Sequence, residues 1–331
     1  MVNKIRRATE ILLVDIMAPI LSILPLKLRI FLKFLTERYY TGIIRARYFW
    51  DVLTLQKASG IEFSLWIKGG HNNAQKEYVK LQNTKEAYEP LMVECLKNIF
   101  FEYEVPVFID IGAFMGYYAC FACSFLKDKY PVYAIESNPQ YCKVIEKSFS
   151  ENNFNNAKIF NGVLSDKEEI LSINKETVSK DTKGQQIQSV TLDELCRRED
   201  IKPNILKIDV HGAEGKVIGG AKKVLRDYAD FVLFEIHPDD YLKKYSPGYT
   251  RESILSVLEE SGFCNYLVGG FRYQRSPERE VFKNTGQIRC IRITPENREV
   301  LFFDRHSDLF ILATKKNNLD FLDILKGVEN E

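Results

Sequence analysis

Five apolar runs in the 331-residue chain each close on an acidic or polar group. "VFIDIG" closes on Asp110 and Gly112, "VYAIES" on Glu136 and Ser137, and "IFNGV" on Asn161, Gly162 and Val163. "LKIDVH" closes on Asp209 and His211, and "LFEIH" on Glu235 and His237. Polar residues commonly begin loops and cap helices, so each run alone is ordinary; five at one sheet edge are harder to dismiss. Histidine titrates near neutrality and is the most frequent general base. His71 and His306 fall in polar, loop-like stretches, whereas His211 and His237 fall at adjacent strand ends. The plainer alternative is that His211 caps a helix beginning near Ala213 and that His237-Pro238 forms a turn. Asp209, Glu214 and Glu235 are further bases, or groups that orient one. Asp209, Glu235 and the histidines could also ligate Mg²⁺. That ion prefers oxygen and keeps waters, and no metal-specific spacing is present, so the sequence assigns no metal.

These groups need a scaffold that brings strand ends together, and the pattern supplies one. "IEFSLWIK" (61–68) alternates as a strand does. Residues 74–103 have helical character, broken near Pro90. Strands are then expected at 106–112, 131–137, 158–165, 204–210 and 230–237, and helices at 114–127, 139–152, 192–199, 214–226 and 250–262. "EILSIN" and "IQSVTL" read as short strands flanking a polar loop, and late strands fall at "CNYLV" and "LFILATK". Strands alternating with helices imply an α/β fold with a parallel sheet covered on both faces. Ligands bind beyond the carboxyl ends of such strands.

The turn after the first of these strands narrows the ligand. Gly112 and Gly116 let backbone come close to a ligand at a strand-to-helix turn. A pyrophosphate-binding turn wants G-x-G-x-x-G, and this chain has Phe114 and Tyr117 where the second and third glycines belong. The pattern D-x-G-x-x-x-G suits a nucleoside without phosphates, and Glu136 is placed to accept hydrogen bonds from both ribose hydroxyls. An NAD-dependent oxidoreductase is opposed on these grounds. A non-catalytic nucleoside-binding scaffold stays open.

The pieces "FIDIGAFMGYYA", "AIESNP", "NGVLSD", "TLDEL", "LKIDVHGAEGKVIGGA" and "LFEIHP" together resemble the FkbM family of S-adenosylmethionine-dependent methyltransferases, over roughly residues 105 to 240. The resemblance implies a Rossmann-like class I methyltransferase fold: a seven-stranded, mostly parallel sheet with an antiparallel last strand and helices on both faces. It implies S-adenosylmethionine as cofactor and O-methylation of a hydroxyl, often on a sugar of a glycan, lipid or natural product. Asp110, Gly112 and Gly116 would hold the methionine part, with Ala113 and Tyr117 counted among the cofactor contacts of that turn. Glu136, with Ser137 beside it, would hold the ribose. Asn161, Gly162 and Val163 would border the adenine, and Asp209 would close the pocket near the sulfonium. Two departures stand out. Phe114 and Met115 replace the family's usual asparagine and isoleucine, and His211 replaces a glutamate of its D-V-E-G-A-E signature. Methyl transfer is an in-line displacement that needs alignment and a base for a poorly nucleophilic hydroxyl. The second departure therefore bears on the base, for which His211, His237, Asp209 and Glu235 are the candidates.

Net charge is +1, from 46 basic and 45 acidic residues, without the basic excess of a nucleic-acid binder. Seven scattered cysteines and no cleavable signal suggest reduced thiols in the cytoplasm. Cys120 and Cys123 lie in an apolar stretch of helical character and read as core. The expected organisation is an apolar helical segment over 1–60, a strand and helix over 61–104, and the methyltransferase domain over 105–331 with an insertion at about 268–306. Ile11–Leu35 is apolar but interrupted by Asp15, Pro19, Pro25, Lys27, Arg29 and Lys33, so it is no transmembrane span. Residues 1–36 either pack on the globular body, the commoner arrangement, or lie on the inner face of a membrane with their cations toward anionic headgroups. The insertion carries Arg272, Arg275, Arg279, Arg289 and Arg292, ordinarily a solvated face, which could bind an anionic glycan or lipid phosphate.

Overall fold

The structure, a computed structural model, describes residues 52–68, 78, 87–127, 129–174, 177–179, 185–270, 288–298, 308–316 and 322–325. The segment 1–36, His71, His306 and most of the arginine-bearing insertion lie outside the described residues. The chain divides into two compact units, Met1–Val52 with Gly69–Asn72, and Leu53–Lys68 with Asn73–Glu331. Every described residue except Val52 belongs to the second. No helix among the described residues is long and apolar enough to cross a membrane.

The described chain opens with two strands, β1 (Val52–Ala58) and β2 (Ile61–Ile67), paired as a two-stranded sheet. Ser59 and Gly60 join them with φ of 49° and 83°, the doubly left-handed pair that a two-residue hairpin turn requires. β1 lies where the sequence suggests only helix. Its alternation is inverted: Thr54 and Gln56 are buried while Leu53 and Leu55 are exposed. The buried polar groups are bonded, Thr54 Oγ1 donating to the Leu65 carbonyl at 3.0 Å and Gln56 Nε2 to the Tyr78 carbonyl at 3.0 Å.

After α1 (Pro90–Phe101) the main sheet is built from β3 (Phe108–Ile111), β4 (Val132–Glu136), β5 (Ala157–Asn161), β10 (Ile205–Ile208), β11 (Phe231–Ile236), β12 (Cys264–Gly270), β13 (Ile288–Arg292), β14 (Leu309–Thr314) and β15 (Leu322–Leu325). Their order is β15-β13-β12-β14-β11-β10-β3-β4-β5. β5, β4, β3, β10 and β11 are mutually parallel, and β14 runs antiparallel between β11 and β12. The sheet thus has nine strands among the described residues where seven were expected, and the antiparallel β14 is followed in the chain by β15. β13 and β15 extend the sheet beyond β12, because part of the insertion pairs with β12 instead of looping out. The chain fills one side of β3 and then returns to β10 on its other side, so the strand order reverses between β3 and β10. A crevice at such a switch point is where ligands bind.

Period-2 alternation sorts the strand residues onto two cores. Phe108, Ile205, Phe231 and Leu233 join α1, α2 (Tyr117–Phe125) and α3 (Pro139–Glu151) on one face. Ile109, Ile111, Leu206, Ile208, Val232 and Phe234 join α4 (Leu192–Arg198), α5 (Glu214–Gly219), α6 (Lys222–Asp227), α7 (Asp239–Tyr245) and α8 (Arg251–Glu260) on the other. Both faces are covered, which is why β3, β10 and β11 are buried throughout and read as nearly continuous apolar runs. All seven cysteines are free, and Cys120 and Cys123 are buried on α2.

Several boundaries differ from the sequence expectation. The strand expected over 158–165 breaks at Gly162. β5 stays in the main sheet, while β6 (Val163–Leu164) pairs with β9 (Gln185–Val190) in a small sheet completed by β7 (Ile170–Asn174) and β8 (Thr177–Ser179). α7 was not anticipated, since Asp239 follows Pro238 without an apolar period of useful length. The helix expected over 214–226 is two short helices, α5 and α6. A Cβ on Gly220 would stand 2.1 Å from the Ser165 carbonyl oxygen, so the chain turns there. Asp193 of α4 then takes up the freed N–H groups of Lys223 and Val224, at 2.9 and 2.8 Å. Gly220→Ala is therefore expected to cost about 1–3 kcal/mol by overpacking, although alanine is the better helix former by roughly 1 kcal/mol. Urea unfolding of the two proteins measures this; a stabilised variant would show that the Ser165 segment yields.

Candidate active site

Asp110 and Lys207 face each other in register across β3 and β10, on the face that α1 and α2 cover. Lys207 Nζ lies 3.5 Å from Asp110 Oδ1, 3.7 Å from Asp209 Oδ2 and 4.7 Å from the centre of the Tyr118 ring. Burial pushes the Asp110 carboxyl above the usual carboxylate range, in spite of Lys207. Burial pulls Lys207 the other way, but Asp110, Asp209, Glu89 and Glu235 outweigh it and hold the ammonium on. Glu89, which accepts from the Tyr118 hydroxyl, is raised by burial and by the charge of Asp209. Carboxylates thus outnumber the lysine at this edge. Sequence reasoning missed Lys207, Glu89 and Tyr118. The signal for Lys207 was its place as the single charge inside "NILKI".

The turn after β3 uses its glycines differently from the expectation. Gly112 has φ 77°, and a Cβ on it would stand 1.9 Å from the Asp209 carbonyl oxygen. Gly116, at φ 81°, would press a Cβ against Ile145 at 3.1 Å. The close approaches are to the end of β10 and to α3, and they pack the turn between them. The turn's N–H groups are also occupied. Gly112 and Ala113 donate to the Ile135 carbonyl at 2.9 and 3.0 Å, Gly116 to the Ala113 carbonyl at 2.7 Å, and Phe114 to Glu136 Oε2 at 2.8 Å. These four N–H groups are therefore not available to a pyrophosphate, which counts against a dinucleotide. Phe114, at φ 52°, stacks edge-on against Tyr141 with ring centres 4.6 Å apart.

Glu136 ends β4. Its Oε1 accepts from Asn138 N at 2.7 Å and from Ser137 Oγ at 3.4 Å. A carboxylate offers about four acceptor sites, two on each oxygen; with Oε1 taking two donors and Oε2 one, the capacity left for a ligand hydroxyl is on Oε2. Burial lifts this carboxyl to about 7, against the two backbone donors. Asn161 Nδ2 donates to the Glu136 and Ser137 carbonyls at 2.9 and 3.0 Å, and Gly162 N to the Glu136 carbonyl at 3.1 Å, binding the ends of β4 and β5 together. Val163 and Tyr117 face away from this edge. Val163 packs with Leu171 and Ile187 in the small sheet. The Tyr117 ring stacks on Tyr78, and its hydroxyl accepts from Tyr88 N at 3.0 Å. What these two residues offer a cofactor is backbone.

β10 ends at Ile208, so Asp209 and His211 sit on a turn beyond it. His211 has φ 50° and Gly212 φ 96°, a pair of left-handed residues that throws the imidazole outward, 62% exposed, with Nδ1 3.8 Å from Asp209 Oδ1. Buried Glu214 holds the turn by accepting from Gly212 N at 2.9 Å, and Ser246 Oγ donates to the Gly212 carbonyl at 2.8 Å. His237, after β11, is 3% exposed. Its Nδ1 lies 3.0 Å from Glu214 Oε1, its Nε2 3.8 Å from Asp308 Oδ1, and its ring centre 5.3 Å from that of His211. Burial alone would lower the His237 pKa; the hydrogen bond to Glu214 and the charges of Glu214, Asp209 and Asp308 raise it overall. Asp308 was not anticipated. It directly precedes β14, whose antiparallel register sets Leu309 beside Ile236, so the start of the last strand arrives where β11 ends.

The edge therefore gathers Asp110, Gly112, Glu136, Asp209, His211, Glu235 and His237 from four strand ends. It suits a cationic nucleoside: the carboxylates here outnumber Lys207, and the excess favours positive charge. Residues 110–266 match the methyltransferase FkbM domain. The chain is an S-adenosylmethionine-dependent methyltransferase. That match covers a little under half of the chain. Among solved structures, precorrin-6y C5,15-methyltransferase from Geobacter metallireducens GS-15 is 13% identical, covering 68% of this chain and 87% of that one, with a TM-score of 0.36. Methyltransferase FkbM from Methylobacillus flagellatus KT is 13% identical over 67% of this chain and 53% of its own, at 0.37. M. jannaschii TYW2 in complex with AdoMet is 14% identical over 79% and 84%, at 0.35. No curated protein matches the chain.

The raised Glu136 carboxyl has a consequence for stability. A carboxyl that titrates higher folded than unfolded stabilises fully below its unfolded value and loses that contribution as pH rises through the folded one. Between 4.5 and about 7 the unliganded protein should lose on the order of 3 kcal/mol, at about 1.4 kcal/mol per tenfold change in proton affinity. Glu136→Gln should flatten that slope between pH 4.5 and about 7 in denaturant titrations. An unchanged slope would assign the loss to another group.

Proposed function

We propose that the enzyme is an O-methyltransferase acting on a hydroxyl of a sugar, glycan, glycolipid or related metabolite, with His211 as the proton acceptor. The observation that carries the choice of base is the difference between the two histidines. His237 is buried, with Glu214 on one ring nitrogen and Asp308 facing the other. His211 stands open at the sheet edge, where an acceptor can reach it.

When bound, S-adenosylmethionine supplies a methyl group activated by a sulfonium. Asp110, Gly112, Ala113, Gly116 and the Tyr117 backbone would hold its methionine part, Glu136 and Ser137 its ribose, and Asn161, Gly162 and the Val163 backbone would border the adenine. His211 takes the hydroxyl proton. Asp209 stabilises the imidazolium so formed, at a distance of 3.8 Å that is a charge interaction and not a hydrogen bond. Glu214 fixes the turn that carries His211. Asp209 is thereby shared between the base and Lys207 and ties the proton-accepting side to the cofactor side.

Two measurements test this. In calorimetry with S-adenosylhomocysteine, Glu136→Ala should weaken binding by tenfold or more, since hydrogen bonds to a charged acceptor are each worth roughly 1.5–3 kcal/mol; unchanged affinity would remove the ribose assignment. In a labelled-methyl screen over sugars and glycolipids, His211→Ala should lower turnover by roughly 10² to 10⁴ while product affinity stays nearly constant. Normal turnover in that variant would take the base away from His211.

A further inference from the structure

His237, Glu235 and Asp308 form a group that proton transfer at His211 leaves unused. One carboxylate oxygen of Glu235, a ring nitrogen of His237 and an Asp308 oxygen converge, all three within 4.8 Å of one another. Glu235 is 5% and His237 3% exposed. His237 Nε2 and Asp308 Oδ1 are 3.8 Å apart, too far for a hydrogen bond. Two carboxylates held this close, in surroundings this buried, repel each other, and positive charge between them, on His237 or on a bound cation, relieves that repulsion. A second observation points the same way. His237 Nδ1 is tied to the fully buried Glu214, which leaves the proton on Nδ1 and the lone pair of the neutral ring on Nε2, toward Asp308. A carboxylate on the far ring nitrogen is the usual support of a metal-binding histidine. Glu214 Oε2, also buried, has no hydrogen-bond partner of its own.

The geometry points to a divalent cation site formed by Glu235, His237 and Asp308, with Glu214 orienting the imidazole. One imidazole nitrogen and two carboxylates are a mixed donor set, too nitrogenous for Ca²⁺ or Mg²⁺ and free of thiolate, which suits a Mn²⁺-type ion. Ligand bonds of roughly 2.1 Å put adjacent donors roughly 3 Å apart and opposite ones somewhat over 4 Å, so the three side chains have to close around the ion as it binds. Asp209, His211 and His237 make a second possible group. It is the poorer one, because His211 is largely exposed and Asp209 is already engaged by Lys207. A cation at the first group would lie beside the base and could hold an acceptor hydroxyl and acidify it. That role rests on the O-methyltransferase reading; the binding does not.

The test is titration of the chelator-treated full chain with Mn²⁺, following loss of the free-ion electron paramagnetic resonance signal. One Mn²⁺ per chain is expected. Asp308→Asn and Glu235→Gln, both close in shape to the originals, should each weaken binding more than tenfold, and Glu214→Gln by about 10- to 100-fold, as for other supporting groups. His211→Ala should leave Mn²⁺ affinity unchanged. The site is overturned if the wild-type chain takes up no Mn²⁺ at millimolar concentration, or if His211→Ala abolishes uptake while Asp308→Asn does not. S-adenosylhomocysteine calorimetry on the same preparations, with turnover of His211→Ala, separates the two readings. Mn²⁺ uptake with an active His211→Ala enzyme overturns the base and keeps the cation site, and product binding without Mn²⁺ uptake overturns the cation site alone.

Discussion

The pairing of Asp110 with Lys207 across the two central strands is the constraint around which the rest of the site is arranged. Both side chains are buried and stand directly opposite in the parallel register. Replacing such a pair with apolar residues is often neutral or stabilising, so it is weak evidence for stability. Its better explanation is positional. Lys207 lets β3 and β10 lie side by side at the point where the strand order reverses, while Asp110, Asp209 and Glu89 keep their charges close to it. The carboxylate excess that remains is a property of the edge as a whole, and it determines which ligands the edge accepts.

Backbone conformation then turns the edge into a site. Gly112 is needed because the Asp209 carbonyl occupies the space a Cβ would take. The turn after β3 and the turn after β10 are therefore fitted to each other, and a change in one shifts the other. Phe114 and His211 both hold positive φ without being glycine, which costs on the order of 1–2 kcal/mol each. The bonds that hold them there end on Glu136 for Phe114 and, through Gly212, on Glu214 for His211. Both strained turns are thus held by buried carboxylates. Glu136 carries a raised pKa because it does this work in a buried place.

Much of this was legible in the sequence, for a definite reason. Strands covered on both faces must be apolar, so the residues that interrupt or end them stand out, and Asp110, Glu136, Asp209, Glu235 and the two histidines all announced themselves that way. The motifs from Asp110 onward lie within the stretch that matches the methyltransferase FkbM domain. What could not be read depends on contacts distant in sequence. The break of the 214–226 helix is imposed by the Ser165 carbonyl, and β1 was hidden because its polar residues face inward. Lys207 looked like a stray charge until its register with Asp110 was known. Asp308 looked like part of a loop until the antiparallel direction of β14 carried it to the end of β11.

The two histidines show how neighbouring groups of one chemical type come to do different work. They lie at adjacent strand ends, with ring centres 5.3 Å apart, yet one is open and the other enclosed. Glu214 makes the difference: a single oxygen accepts from the Gly212 N–H and meets His237 Nδ1, so the turn that exposes His211 and the bond that fixes His237 share one anchor. Protonation of His211 during a turnover would add positive charge beside Asp209, which the carboxylate-rich edge tolerates. A negatively charged group brought to the same place would meet that excess at close range, at an effective cost of a few kcal/mol for a contact near 4 Å. The reacting part of the acceptor is therefore expected to be an uncharged hydroxyl, and any phosphate or carboxylate it carries has to lie away from the ends of β10 and β11.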